Sequence, residues 1–187
     1  MDSFLLAFLL SFVLAMGGRD QWMVAHWADG LNQSAALLAV ALLCAGLSAA
    51  VMAWVGAEFA ALLPRRAAQM LVAFALLIAA AELALPVRFR QPREPTRSLG
   101  AIGIVLAARQ VGDAARFAVF ALAAWATLPA AAALGGALGG GAAVAFGWYG
   151  GAANLARLPL PMVRRVLAAG LFATAIIIGL NARFSPY

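Results

Sequence analysis

Charge is scarce in this chain. Of its 187 residues only 11% are charged, while 66% are hydrophobic; water-soluble domains are about a quarter charged. That shortage excludes a soluble globular fold, and the apolar surplus excludes disorder, whose signature is the reverse. Lysine is missing: all 13 basic residues are arginines. There is one histidine, His26, and one cysteine, Cys44, so no disulfide framework can form and no cluster has metal-ligand spacing. No Ser-His-Asp or Cys-His arrangement stands out, so an enzyme is not expected, nor a resident cofactor.

What is present is a succession of long apolar runs. At roughly 20 residues per crossing the chain has room for about six helices and no separate soluble domain. Lipid offers backbone groups no partners, so such runs must be helical. The expectation is an all-α integral membrane protein of six transmembrane helices in one membrane domain over residues 1–187. The spans run from Ser3 to Trp27, Ala35 to Leu63, Ala67 to Leu85, Leu99 to Leu128, Pro129 to Leu155 and Pro161 to Leu180. Pro64, Pro129, Pro159 and Pro161 fall at proposed helix ends, where proline costs least. The first run lacks the basic start of a secretory signal, since it opens Met1-Asp2-Ser3, and is kept as a membrane helix.

The net charge of +6 would suggest nucleic acid on a soluble protein, but here it reads as loop arginine. The hydrophilic linker, about 87–97, holds Arg88, Arg90, Arg93 and Arg97. Its side also carries Arg157, Arg164 and Arg165, against Arg65, Arg66 and Arg183 opposite. That asymmetry puts the linker in the cytoplasm and both termini outside, in a bacterial-type inner or plasma membrane. Lipid is the expected partner and nucleic acid is not; oligomeric state is not legible.

Sliding the sequence by 95 positions aligns its halves, about 1–86 and 98–187. Gly17 falls on Gly112, Gly46 on Gly141, Gly56 on Gly151, Pro64 on Pro159 and Trp54 on Tyr149. Fewer than about one glycine match is expected by chance. Coincidence in a biased composition is the alternative. Three spans per half would insert the second half upside down, giving an inverted 3+3 repeat of the secondary-transporter kind.

The register superposes two polar clusters, Gly17-Gly18-Arg19-Asp20-Gln21 and Arg109-Gln110-Val111-Gly112-Asp113-Ala114-Ala115-Arg116. Intramembrane polar residues usually mark function. These clusters, the six spans and the hydrophilic central loop resemble the calcium and manganese exchanger family called Gdt-one. Each half of that family carries Glu-x-Gly-Asp-(Lys/Arg)-(Ser/Thr). Gly17 and Arg19 match in the first copy, and Gly112 and Asp113 in the second. Ala15 and Gln110 stand at the glutamate positions and Gly18 at the first aspartate. The resemblance implies exchange of a divalent cation, manganese or calcium, against protons. It makes Asp20 and Asp113 the metal-binding acids, Gln21 and Gln110 neutral oxygen ligands, and Gly17, Gly18, Arg19, Gly112, Arg109 and Arg116 the supporting motif residues.

A second reading stays open. Arg19, Asp20, Asp113 and Arg116 sum to zero, and Arg109 makes the centre +1, a charge that repels divalent cations. The chain would then be a divergent member with an accessory role, or a carrier of another, anionic solute. On an unbroken helix Arg109, Asp113 and Arg116 share one face, so Asp113 would pair with an arginine. Gly17, Asp20 and Gln21 would likewise share a face of the first span; the Gly17-Gly18 pair would either break that helix or permit close packing. His26 and Asp29 are expected at the interface. Glu58 and Glu82 are expected to snorkel or to pair with Arg65, Arg66 or Arg88. Gly135/Gly139, Gly136/Gly140 and Gly147/Gly151 have the small-xxx-small spacing of close helix contacts.

Overall fold

The computed structural model describes residues 2–87 and 98–184; the arginines of the central linker, Arg88 to Arg97, lie outside the described residues. The described residues are helical, without a strand. In chain order the helices are α1 (Asp2–Ala15), α2 (Arg19–Gly30), α3 (Ala35–Leu62), α4 (Arg65–Ala84), α5 (Leu99–Gln110), α6 (Ala114–Trp125), α7 (Pro129–Leu155) and α8 (Leu160–Phe184). Proline works as the sequence suggests: Pro64 caps α4 and Pro129 opens α7. There its missing N–H removes a donor the first turn leaves unpaired anyway.

Four helices, α3, α4, α7 and α8, are long and apolar enough to cross a membrane. The pair α1 and α2, bent by 66° at its break, makes a fifth if counted as one span. Two expected single helices are therefore each divided, the first after Ala15 and the fourth after Gln110. The first break follows from Gly17, whose φ of +72° is left-handed and open at low cost only to glycine. The second follows from Asp113, which takes extended angles (φ −87°, ψ 141°) as the N-cap of α6, a position aspartate favours.

Packing is inside-out relative to a soluble protein. Helix α3 buries Leu37, Ala41, Ala45, Ala49, Ala53 and Gly56, one small residue per turn along one face. Its large side chains Leu43, Leu47, Val51 and Trp54 point outward and are more than half exposed, as lipid contact requires. Helix α7 runs through the middle, against α1, α2, α3 and α6. Its glycines make those approaches possible: Gly135 and Gly139 lie under the carbonyls of Phe4 and Phe8 of α1, and Gly136 lies under Val119 of α6. Gly147 meets Gln21 of α2. Without a hydrophobic drive between helices in lipid, this close van der Waals fit is what joins them.

An added methyl at Gly139 would collide with the Phe8 carbonyl, whereas one at Gly46 meets nothing within 4 Å. Gly139→Ala should therefore lower unfolding stability in detergent by about 1–3 kcal/mol. Gly46→Ala should be neutral or raise it by up to about 1 kcal/mol through helix propensity.

Candidate functional site

The two helix breaks meet at the centre of the bundle. At the first, Gly17 N–H donates to Gln21 Oε1 at 2.7 Å, and Gln21 Nε2 donates to the Ala143 carbonyl at 2.7 Å and to Met16 sulfur at 3.3 Å. Gln21 thus ties the break to α7. At the second, the Asp113 carbonyl accepts from the N–H groups of Arg116 and Phe117. A methyl placed on Gly18 would lie 2.9 Å from Asp20 Oδ1 and 3.7 Å from Asp113 Oδ1. Gly18 is therefore the point on which both buried carboxylates converge. Each stands in the first turn or cap of a helix, α2 for Asp20 and α6 for Asp113, where the positive end of the helix dipole favours an anion.

Glu82 joins them from α4. It was expected at the membrane interface beside Arg65, Arg66 or Arg88; instead it is buried, and Arg164 of α8 holds it. Arg164 Nη2 donates to both Glu82 carboxylate oxygens at 3.1 Å and to the Glu82 main-chain oxygen at 3.2 Å. Arg19 stands 3.7 Å from Glu82 Oε1 on the other side. Sequence reasoning missed Glu82 and Arg164 because neither falls in the paired clusters. The available signal was a pair of charges within apolar runs, Glu82 three residues before the end of its span and Arg164 four into its own.

Asp20, Asp113, Glu82, Arg19, Arg109 and Gly112 line a crevice of about 10 Å³, which has room for about one water. Three carboxylates face two arginines there, a formal −1 where the sequence windows alone give +1. The sign changes because Glu82 enters and Arg116 leaves. With the helix interrupted, Arg109, Asp113 and Arg116 do not share a face: Arg109 is exposed, and among the described residues neither arginine forms a salt bridge with Asp113. The shared face expected for Gly17, Asp20 and Gln21 is likewise lost at the first break. Asp113 Oδ2 has no hydrogen-bond partner among the described residues.

Arg116 is fully buried elsewhere, packed on Gly140. Its Nε donates to Ser48 Oγ at 2.6 Å, and Ser48 Oγ also lies 2.9 Å from Gln110 Oε1. Arg116 Nη1 and Nη2 and Gln110 Nε2 lack partners among the described residues. Gln21 therefore spends its amide on the scaffold and Gln110 its side-chain oxygen on Ser48, and neither lines the crevice. Among the described residues no three His, Cys, Asp or Glu side chains are grouped to hold a metal ion.

A second, larger space of about 780 Å³ opens between α2 and α8. Gly17, Trp22 and His26 line it from the α2 side, Leu160, Arg164 and Arg165 from α8, and Leu83 to Val87 from the end of α4, with no carboxylate among the described lining residues. Asp29 stays outside both spaces and accepts from Ala152 N–H at 3.0 Å, at the kink of α7 where Gly151 has φ +67°. In comparisons with protein-family models, curated proteins and solved structures, no match to the chain was found.

Ser48 is the side chain on which both Arg116 and Gln110 depend. Ser48→Ala should cost about 1.5–3 kcal/mol, the range for a hydrogen bond to a charged group, read as lowered thermal stability in detergent micelles.

Proposed function

We propose that this chain is a membrane secondary transporter built as an inverted 3+3 repeat, in which α1–α2 and α5–α6 are each one broken crossing. The observation that carries the reading is the meeting of the two breaks, each with an aspartate at the start of its second half. Element ends support the repeat. Helices end at Ala15 and Gln110, restart at Arg19 and Ala114 and end at Gly30 and Trp125, and the third span of each half starts at Arg65 and Leu160. Each of those pairs is 95 positions apart, the offset of the glycine register. By the arginine excess, six against three once the buried Arg164 is set aside, the central loop is cytoplasmic and both termini are outside.

The halves differ in a way that suits alternating access. Helix α6 packs dry on α4, with Ala118 and Ala121 in one core with Val72, Ala75 and Leu76. The counterparts of those helices, α2 and α8, instead enclose the large cavity. One side is closed where its symmetry mate is open. Rocking that exchanged the two arrangements would expose the central acids to the other side.

The cargo follows from the carboxylates and from the Gdt-one resemblance: a divalent cation, manganese or calcium, exchanged against protons. Asp113 and Asp20 would take the ion, since hard cations seek anionic oxygen; Glu82 lines the same crevice but is held by Arg164. In liposomes under a proton gradient, the protein should carry manganese or calcium. Asp113→Asn should cut that flux at least about tenfold, because affinity tracks the anionic ligand count. No flux of either metal, with the variant indistinguishable from the parent, would reject the cargo.

One observation favours a second reading, transport of an anionic solute: among the described residues the cavity is lined by Arg164 and Arg165 without a carboxylate. Anion flux in the same liposomes, insensitive to Asp113→Asn and lost in Arg165→Gln, would select it.

A further inference from the structure

Among the described residues the large cavity and the central crevice share no lining residue. An ion pair bridges them beside the Gly17-Gly18 backbone: Arg164 lines the cavity, Glu82 lines the crevice, and the two are bonded. A solute moving from the cavity to Asp20 and Asp113 meets that pair first. We propose that Glu82 and Arg164 form the gate between the cavity and the central acids, with Arg19 as the second guanidinium that holds Glu82 when Arg164 leaves.

Three observations support a pair that can open. Separating a buried ion pair is costly because it strands a charge, but Glu82 is not stranded, since Arg19 already stands 3.7 Å from its Oε1. Arg164 has somewhere to go, since it borders about 780 Å³ of open space. It is also incompletely engaged: its side chain is 4% exposed, yet Nη1 has no partner among the described residues. Gly17 keeps the route clear, for a methyl there would lie 3.0 Å from the Leu160 Cβ and 3.4 Å from the Arg164 Cδ. One carboxylate shared by arginines on two helices, α2 and α8, is a two-position element. Such an element couples relative movement of those helices to access.

The gate rests on the transport reading, yet its test needs no cargo. The parent is the full chain with Cys44→Ala, reconstituted in liposomes and probed with a membrane-impermeant maleimide. Ala156→Cys, an exposed cavity-lining position, identifies the side to which the cavity opens and should react equally in every background, which also checks folding. Asp113→Cys, a buried position on the crevice, reports on access to it, while metal flux is measured in the parent. From the cavity side that cysteine should be protected in the parent and in Arg164→Lys. It should react at least about tenfold faster in Arg164→Gln and Glu82→Gln, as loss of a buried partner predicts. Arg19→Gln should not speed it, since the Arg164 bond is intact. Ready labelling in the parent, continued protection in Arg164→Gln, or equal acceleration by Arg19→Gln would each overturn the gate. Missing metal flux alongside the expected labelling would reject only the cargo, and intact flux with unchanged labelling would reject only the gate.

Discussion

Interrupting a helix inside an apolar bundle strands main-chain donors and acceptors, and the arrangement of this protein depends on how the two interruptions are repaired. Within lipid the repair falls to the protein's own groups. At the first break the Gly17 amide finds the side chain of Gln21, and the Gly18 amide turns back to the Ala15 carbonyl. At the second, the Asp113 amide bonds the Gln110 carbonyl while the Asp113 carbonyl starts α6. Both repairs use groups close in sequence, so the breaks close themselves. Their helix starts, with an acid at each, are then available for a different purpose.

The buried charges obey a related rule. A guanidinium or carboxylate withdrawn from water is costly without partners, and for Glu82, Arg164 and Arg116 the partners come from distant segments. Glu82 and Arg164 join α4 to α8, and Arg116 joins α6 to α3 through Ser48. These polar ties select among the many ways in which smooth, small-residue helices can be stacked, a selection dispersion forces alone make poorly. They hold both halves of the chain to a common centre.

Composition made the membrane setting legible, and glycine spacing made α7 legible as a close-packed helix, because both depend on local side-chain size. The long helices α3 and α7 match the expected segments nearly residue for residue. The helix breaks were only half legible: Gly17-Gly18 offered one, but Val111-Gly112-Asp113 reads as uninterrupted helix until the cap geometry of Asp113 is known. At the site, Asp20 and Asp113 were found by register and do meet. Gln21 and Gln110 were found by the same register, yet they serve the backbone and Ser48. Glu82 and Arg164 were invisible as a pair because 82 positions separate them. Nothing local records that α4 and α8 cross where those two side chains can touch.

The evenly spaced small residues of α3 carry a mechanical consequence. Ala41, Ala45, Ala49 and Ala53 repeat at steps of four, so a shift of α3 along its axis by one helical turn lays alanine where alanine had been. Such a face is a nearly uniform rail with little memory of axial position. Registry must then be set by the few points that are not alanine: Gly56 beneath the Phe120 carbonyl, and Ser48 against Arg116 and Gln110. Helix α3 is pinned there by a notch and a hook, and nearer its start by Leu37, buried among Met23, Trp27 and Ile102, and by Val40 and Leu42 against Gly103 and Gly141.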